Sequence, residues 1–187
     1  GHTVDVYRYN FIEGCAVGKQ INTGRWTADL GDREVVVFMI GMRINRLRSV
    51  RKWGAVSRAM PKMLRELAMQ PDLGLLSFRT FVSGRDIFVL QYWNSVEQLN
   101  EYARASEKLH LPAWRSFNKA VKDSGVVGIW HETYKIAPGQ FEGIYANMPK
   151  FGLAGALGGA VPVGRVAQSA AARMDRSKAD EPALAPY

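Results

Sequence analysis

Cysteine and histidine are the scarcest chemically active residues in this chain of 187 residues. Cys15 is the single cysteine, so the chain can form no internal disulfide and no cysteine-rich zinc site. His2 follows Gly1 in what resembles a tag remnant, which leaves His110 and His131 as the candidate functional histidines. Cysteine usage of this kind is typical of a reducing compartment, and we therefore expect a cytoplasmic protein.

Sequence signals of several common function classes are also missing. No apolar run approaches the roughly 20 residues of a membrane span, and the start of the chain has no signal-peptide pattern. The motifs Gly-x-Gly-x-x-Gly, His-x-x-x-His and Gly-x-Ser-x-Gly are absent. These absences argue against a Rossmann nucleotide site, a zinc-protease site and a serine-hydrolase triad.

Acidic residues are fewer than basic ones, and the chain carries a net charge of +8. Five cations lie close together at one junction, namely Arg43, Arg46, Arg48, Arg51 and Lys52. No nucleic-acid-binding motif accompanies them, so we expect no nucleic-acid partner. The cluster is open to two other interpretations: a solvated face that pairs with acidic groups, or a clamp for a carboxylate or phosphate.

Hydrophobic periodicity predicts alternating strands and helices. The predicted order is strand, helix, strand, strand, one or more helices, and strand, which is the split βαβ arrangement of an α+β, ferredoxin-like fold. The strands are predicted at Glu34–Met42, Leu73–Phe81, Asp86–Trp93 and Val126–Ile136, and the helices at Trp53–Gln70, after the capping residue Ser95, and at Leu111–Lys122. Pro61 predicts a kink or a new helix start inside the first helix.

Two of these strands are apolar on both faces. In Glu34–Met42 and in Asp86–Trp93, apolar residues occupy successive positions and not only alternate ones. Two or three helices cover only one face of a four-stranded sheet, so the other face needs a second cover. We therefore predict a homodimer in which two sheets pack into a dimeric α+β barrel.

The composition suggests three segments. Residues 1–23 form an N-terminal leader, residues 24–150 form the ferredoxin-like domain, and residues 151–187 form a Gly/Ala-rich C-terminal extension with a disordered end. Within the extension, the glycine-rich stretch that begins at Gly152 follows no convincing strand. We interpret it as a flexible connection and not as a phosphate loop.

His110 and Trp114 are the first candidates for a functional site. They lie four residues apart at the predicted start of a helix, where they would share one face. His110 would serve as an axial haem ligand or a general base, and Trp114 would lie against a flat aromatic ligand. The alternative interpretation is a helix cap or a surface histidine.

The strand that contains His131 carries the other polar candidates. Trp130, Glu132 and Tyr134 are predicted on one face of it and His131 on the opposite face, because side chains alternate along a strand. Glu132 and Tyr134 are therefore the better pair, and a buried carboxylate beside a tyrosine could act as an acid or base. The alternative is a buried, hydrogen-bonded structural network.

Six segments together resemble a known family: Val35–Asn45, Arg58–Leu67, Leu90–Arg104, His110–Asn118, Gly128–Tyr134 and Tyr145–Leu153. They are similar to a bacterial family related to the fungal fumagillin-type polyketide monooxygenase, over about residues 24–174. The resemblance implies the dimeric α+β barrel superfamily, with antibiotic-biosynthesis monooxygenases, haem-degrading monooxygenases and haem-containing aldoxime dehydratases as distant relatives.

The resemblance implies two kinds of chemistry. One is the cofactor-free oxidation of electron-rich phenols by molecular oxygen. The other uses haem, with the iron held by His110, or by His131 as the second choice; His110 would be a metal ligand only in that case. A non-enzymatic haem- or ligand-binding dimer is the alternative outside enzymes.

From these observations we expect a monooxygenase-like enzyme that acts on a small apolar or aromatic molecule, with haem as a possible cofactor. The pocket would lie between sheet and helices, and His110, Glu132 and Tyr134 would be the catalytic residues. Trp114 and the two histidines would bind the cofactor. The predicted substrate-binding residues are Phe38, Trp93 and Trp130, which would wall the pocket with Trp114, and Arg43 and Asn45, which would hold an anionic group.

Overall fold

The computed structural model describes residues 20–105, 115, 124–163, 168–175 and 177–178. The strands are β1 (Asn22–Thr27), β2 (Val35–Ile44), β3 (Leu75–Ser83), β4 (Asp86–Trp93), β5 (Val127–Ile136), β6 (Tyr145–Met148) and β7 (Val161–Pro162). The helices are α1 (Val50–Met69), α2 (Val96–Arg104), α3 (Gly152–Ala156) and α4 (Ala170–Met174), with a 3₁₀ turn at Pro71–Leu73. Within the described ranges, no helix is long and apolar enough to cross a membrane.

The contacts divide the chain into two compact units. Of the described residues, unit 1 contains those within 36–134, and unit 2 contains those within 20–35 and 135–178. We expected a leader, one domain over 24–150 and an extension. The grouping differs because β1, near the start of the chain, pairs with β6 and β7, which follow the main sheet in sequence.

Unit 1 is built on a four-stranded sheet with the order β3-β4-β2-β5. β4 pairs antiparallel with both β3 and β2. At the other side of β2, the Asn45 amide donates to the Val126 carbonyl at 2.9 Å, and Gly41 lies against Trp130 farther along, so β2 and β5 also run in opposite directions. This strand order, with α1 and α2 as the connections, confirms the predicted split βαβ, α+β fold.

One face of this sheet, here called the helix-covered face, packs against α1 and α2. Val36 and Trp93 form a buried cluster there with Leu67 of α1 and with Leu99 and Tyr102 of α2. A second cluster joins Leu64 of α1 to Phe78 and Val89, and a third joins Met42 and Ile44 to Val126 and Val127. The apolar stripe of α1 and the face of α2 thus supply the cover that their periodicity predicted.

α1 is one continuous helix through Pro61, so the new helix start allowed by the sequence does not occur there. Pro61 is exposed, whereas Met63, Leu64 and Leu67 beyond it are buried against the sheet. Proline removes one intrahelical hydrogen bond, but packing of the apolar stripe on both sides of it keeps the helix in register.

At α2, the Ser95 side chain accepts a hydrogen bond from the Gln98 amide at 3.2 Å, as the capping pattern predicted.

The Tyr102 hydroxyl gives α2 a buried polar link to α1, because it donates to Glu66 Oε2 at 2.9 Å. Burial, followed by the hydrogen bond to Glu66, raises the pKa of Tyr102 well above its ordinary value. Above about pH 10 the unfolded chain would lose this proton while the folded chain keeps it. The contribution of Tyr102 to the free energy of unfolding is therefore fully present below about pH 10, and it declines as the pH rises further.

We expect the free energy of unfolding to fall more steeply above about pH 10 in the native protein than in Tyr102→Phe. The extra slope from one proton is up to about 1.4 kcal/mol per pH unit. At neutral pH, Tyr102→Phe should cost about 1 kcal/mol for the lost hydrogen bond. Denaturant titrations at several pH values measure both effects, and parallel alkaline curves for the two proteins would contradict the assignment.

Unit 2 contains a three-stranded sheet with the order β6-β1-β7. The side-chain oxygen of Asn147 accepts from the Gly24 amide at 2.9 Å, and the Thr27 hydroxyl donates to the Gly143 carbonyl at 2.7 Å. The stretch that begins at Gly152 forms α3, so our interpretation of it as a flexible connection is wrong. Leu153 and Ala154 are buried there, since small neighbours let the short helix pack closely.

Candidate functional site

The predicted pocket residues lie on opposite faces of the four-stranded sheet. Trp93 pairs with Val36 and belongs to the core under α1 and α2, where only 1% of it is exposed and its indole donates to Gln91 Oε1 at 2.8 Å. Phe38 is partly buried beside the same cluster. Trp130 lies on the other face, so these three aromatic residues do not wall one pocket as the sequence analysis expected.

The face opposite α1 and α2, here called the second face, carries an aromatic cluster. Phe81 and Phe88 stack with their ring centroids 4.9 Å apart, and Phe88 lies 6.1 Å from Trp130 at an interplanar angle of 44°. Gly41 lies directly beneath Trp130, because a Cβ added there would come within 2.6 Å of the indole nitrogen. A side chain at position 41 would displace Trp130, so the glycine fixes where the indole can lie.

Trp130 is 38% exposed and Tyr134 is 50% exposed, so the second face presents aromatic surface at β5. Phe81 and Phe88 were not predicted as members of this cluster. Their alternation within β3 and β4 was visible, but the pairing of Phe81 with Phe88 and of Phe88 with Gly41 depends on strand register.

Glu132 and Tyr134 form the predicted same-face pair. The Tyr134 hydroxyl donates to Glu132 Oε2 at 2.6 Å, and this hydrogen bond is the largest of the effects that raise the pKa of Tyr134 above its ordinary value. Both residues are exposed, whereas the sequence analysis considered a buried carboxylate. The geometry provides a proton acceptor and a neighbouring hydroxyl donor at the edge of the aromatic cluster.

His131 points to the helix-covered face, opposite to Glu132, as strand alternation predicted. Its ring lies 5.8 Å from the ring of Phe38, and it is exposed. His110 and Trp114 lie outside the described residues, so their roles stay predictions. Over the residues that are described, no group of three or more His, Cys, Asp or Glu side chains could hold a metal ion.

Arg43 and Asn45 lie where β2 ends. An Arg43 guanidinium nitrogen, Nη1, forms an ion pair with Asp86 Oδ2 at 2.6 Å. The first of the five clustered cations therefore already has an acidic partner. Asn45 is exposed, and its carbonyl accepts from Arg85 at 3.4 Å. The ion pair with Asp86 supports the first of the two interpretations for Arg43, pairing with an acidic group.

Unit 2 contains a cavity of about 750 Å³ that sequence reasoning did not anticipate. Asp29, Asp32 and Asp175 contribute carboxylates to its lining, and Phe141 and Pro162 contribute apolar surface. Its walls come from four separate parts of unit 2, so no local sequence signal marked it. None of the predicted site residues lines it.

The strand order, the two helices on one face and the aromatic second face define an α+β protein of the ferredoxin-like class. A model of the family described as "monooxygenase af470-like" matches residues 35–153, and the chain belongs to this family. Monooxygenase af470 from Aspergillus fumigatus is 31% identical over 143 residues, which cover 70% of this chain and 48% of the relative. The chain therefore spans about half the length of that curated relative.

Two solved structures are similar to this chain at low sequence identity. An aldoxime dehydratase superimposes with a TM-score of 0.60 and 17% identity, covering 81% of this chain and 45% of that one. SnoaB from Streptomyces nogalater, a cofactor-independent oxygenase, has a TM-score of 0.40 and 10% identity, covering 54% of this chain and 91% of that one.

Proposed function

We propose that the protein is a monooxygenase-type enzyme that oxidises a small apolar or aromatic molecule at the second face of its sheet. The observation that carries this proposal is the Glu132–Tyr134 pair beside the Trp130 aromatic cluster. Membership of the monooxygenase af470-like family supports the reaction type. The aromatic rings supply the contact surface, since planar ligands gain from offset and edge-to-face contact with such rings.

The proposed reaction begins with a proton transfer. The Glu132 carboxylate takes a proton from an activated CH₂ group. Once Glu132 is protonated, the Tyr134 hydroxyl donates its hydrogen bond to the oxygen that becomes negative on the substrate and no longer to Glu132. The substrate anion then reacts with O₂. The CH₂ carbon gains one oxygen atom as a carbonyl and loses two hydrogens, and the second oxygen atom leaves as water, so the substrate supplies the electrons.

We further propose that two copies pair through their second faces. Leu90, Val37 and Met39 lie there and remain partly exposed beside Phe88 and Trp130. A patch of this kind is usually covered in a protein in solution. Pairing would enclose Glu132 and Tyr134 between two sheets and exclude water from them.

We also propose the cytoplasm as the location, because the chain has a single cysteine.

The proposal is tested by oxygen uptake with a hydroxylated anthrone, whose central CH₂ is acidic and whose rings match the aromatic cluster. We expect one O₂ consumed per carbonyl formed, without added metal, flavin or nicotinamide. Product analysis with isotopically labelled O₂ checks that the new oxygen comes from the gas. Uptake no faster than in buffer across a panel of such phenols would contradict the proposal.

Haem binding is the second candidate, favoured by the exposed His131 beside Phe38 on the helix-covered face. Between α1, α2 and the sheet, Val36 and Trp93 are buried, so they present no open surface to a porphyrin. At the β5 edge, His131 is exposed, so its imidazole would hold the iron of a haem bound there, and the haem would supply an iron-centred site. Hemin titration tests this: a Soret shift that His131→Ala abolishes supports it, and a spectrum equal to that of free hemin contradicts it.

A further inference from the structure

One stretch of the chain is entirely free of carboxylates. Residues 43–65 contain eight Lys and Arg side chains and no Asp or Glu, so this stretch alone accounts for a charge as large as the net +8 of the whole chain. Arg43 is neutralised by Asp86. The other seven cations of the stretch are exposed, and six of them define what we call the basic surface: Arg46, Arg48, Arg51, Lys52, Arg58 and Lys62.

The fold places three of these cations in one row on the outward side of α1. Arg51, Arg58 and Lys62 follow each other at intervals of seven and four residues, which puts them on one side of a helix. Met63 and Leu67 are buried on the opposite side, against the sheet. At a rise of about 1.5 Å per residue, the charged row from Arg51 to Lys62 extends over roughly 16 Å of the helix axis.

Large apolar side chains flank the basic surface at both ends. Leu47 and Val50 are 50% and 56% exposed at the start of α1, and Met69 is 75% exposed at its end. The loop is held in place, because the Trp53 indole donates to the Leu47 carbonyl at 3.0 Å. Leu47 and Val50 thus stay among the cations and do not fold into the core.

The cations at the start of α1 do not stabilise the helix. No acidic residue lies in its first turn, and the side chain of the N-cap residue Ser49 makes no capping hydrogen bond. The positive end of the helix dipole disfavours cations such as Arg51 and Lys52 at this position. The stability of the helix therefore does not account for their presence there.

We propose that the basic surface docks the protein on a lipid bilayer that contains anionic headgroups. The cations would meet the headgroups, and Leu47, Val50 and Met69 would enter the interface, as in helices that lie in the plane of a membrane. Exposed apolar side chains among the cations favour a bilayer over a nucleic acid, whose surface offers them no apolar layer. Since α1 covers the face opposite the second face, the proposed dimer leaves this surface accessible.

Co-sedimentation of the whole protein with vesicles tests the proposal without any substrate. We expect binding to phosphatidylcholine vesicles that contain phosphatidylserine, and little binding to vesicles of phosphatidylcholine alone. The variant Arg51→Glu/Arg58→Glu/Lys62→Glu should bind the anionic vesicles at least about 100-fold more weakly, since each cation near such a surface contributes roughly fivefold. The control Arg25→Glu/Arg33→Glu/Arg104→Glu has the same net charge and should bind within about threefold of the native protein.

A second pair of variants isolates the apolar contribution. Leu47→Ser/Val50→Ser should weaken binding by about tenfold, and the loss should persist at high salt, because apolar insertion is not screened. Val82→Ser, at an even more exposed valine of β3, should have no effect. Three results would each overturn the proposal. The two triple variants could lose vesicle binding equally, or Arg51→Glu/Arg58→Glu/Lys62→Glu could lose none. The native protein could also bind a random-sequence DNA duplex more tightly than anionic vesicles.

Discussion

Glu132→Gln is expected to lower kcat for the oxygenation by about 100-fold or more, which is the usual contribution of a positioned general base. Glutamine has nearly the same shape as glutamate, and its side-chain oxygen still accepts a hydrogen bond from Tyr134, but it cannot take up the substrate proton. Glu132 is exposed on β5, so the change should alter stability by no more than about 0.5 kcal/mol. Initial rates of oxygen uptake at saturating substrate measure the effect.

Tyr134→Phe is the matched control for this variant. It removes the hydroxyl 2.6 Å from Glu132 and leaves the carboxylate in place. We expect a smaller loss, about tenfold in kcat, because proton abstraction remains and only one hydrogen-bond donor to the substrate anion is missing. A Glu132→Gln protein with more than half of the native rate, and with an unchanged circular dichroism spectrum, would remove Glu132 from the reaction.

Leu90→Asp is expected to convert the protein to monomers and to raise the dimer dissociation constant by at least about 100-fold, since it places a carboxylate in an apolar contact between sheets. Leu90 pairs with Met39 in the middle of the second face and touches neither Glu132 nor Tyr134 in the strand register of β4. Light scattering after size exclusion gives the mass, and oxygen uptake gives the activity.

Val82→Asp adds the same charge to the same sheet but on the helix-covered face, at a valine that is 69% exposed. It should stay dimeric and active. If both variants fold and the Leu90→Asp protein keeps the native mass, the sheets do not pair through this face. If it is a monomer with full activity, the dimer exists but does not enclose the site.

Local signals in the sequence predicted most of the fold. Asp86–Trp93 was predicted with both ends as the structure has them, because a dense run of apolar β-branched and aromatic residues is bounded by Gly84 and by Ser95. The capping pair Ser95 and Gln98 predicted the start of α2 for a similar local reason. Apolar residues on both faces of β2 and β4 correctly indicated that the second face is rich in apolar side chains.

The arrangement of the candidate site depended on information that the sequence does not contain. Alternation along β5 correctly paired Glu132 with Tyr134 and separated both from His131. It did not say which face of the sheet α1 and α2 would cover, so Trp93 and Trp130 were assigned to one pocket although the sheet lies between them. The glycine-rich composition from Gly152 onward also led to a wrong prediction of a flexible connection. Tertiary packing of Leu153 makes this stretch a short helix.

The most direct test of the account compares two neighbouring substitutions, Glu132→Gln and His131→Ala, in the same oxygen-uptake assay. The two side chains lie on opposite faces of one strand, so each reports on a different site. We predict that Glu132→Gln loses about 100-fold in kcat while His131→Ala keeps most of the native rate. The reverse result, with Glu132→Gln active and His131→Ala inactive, would contradict the second-face site and place the chemistry on the helix-covered face.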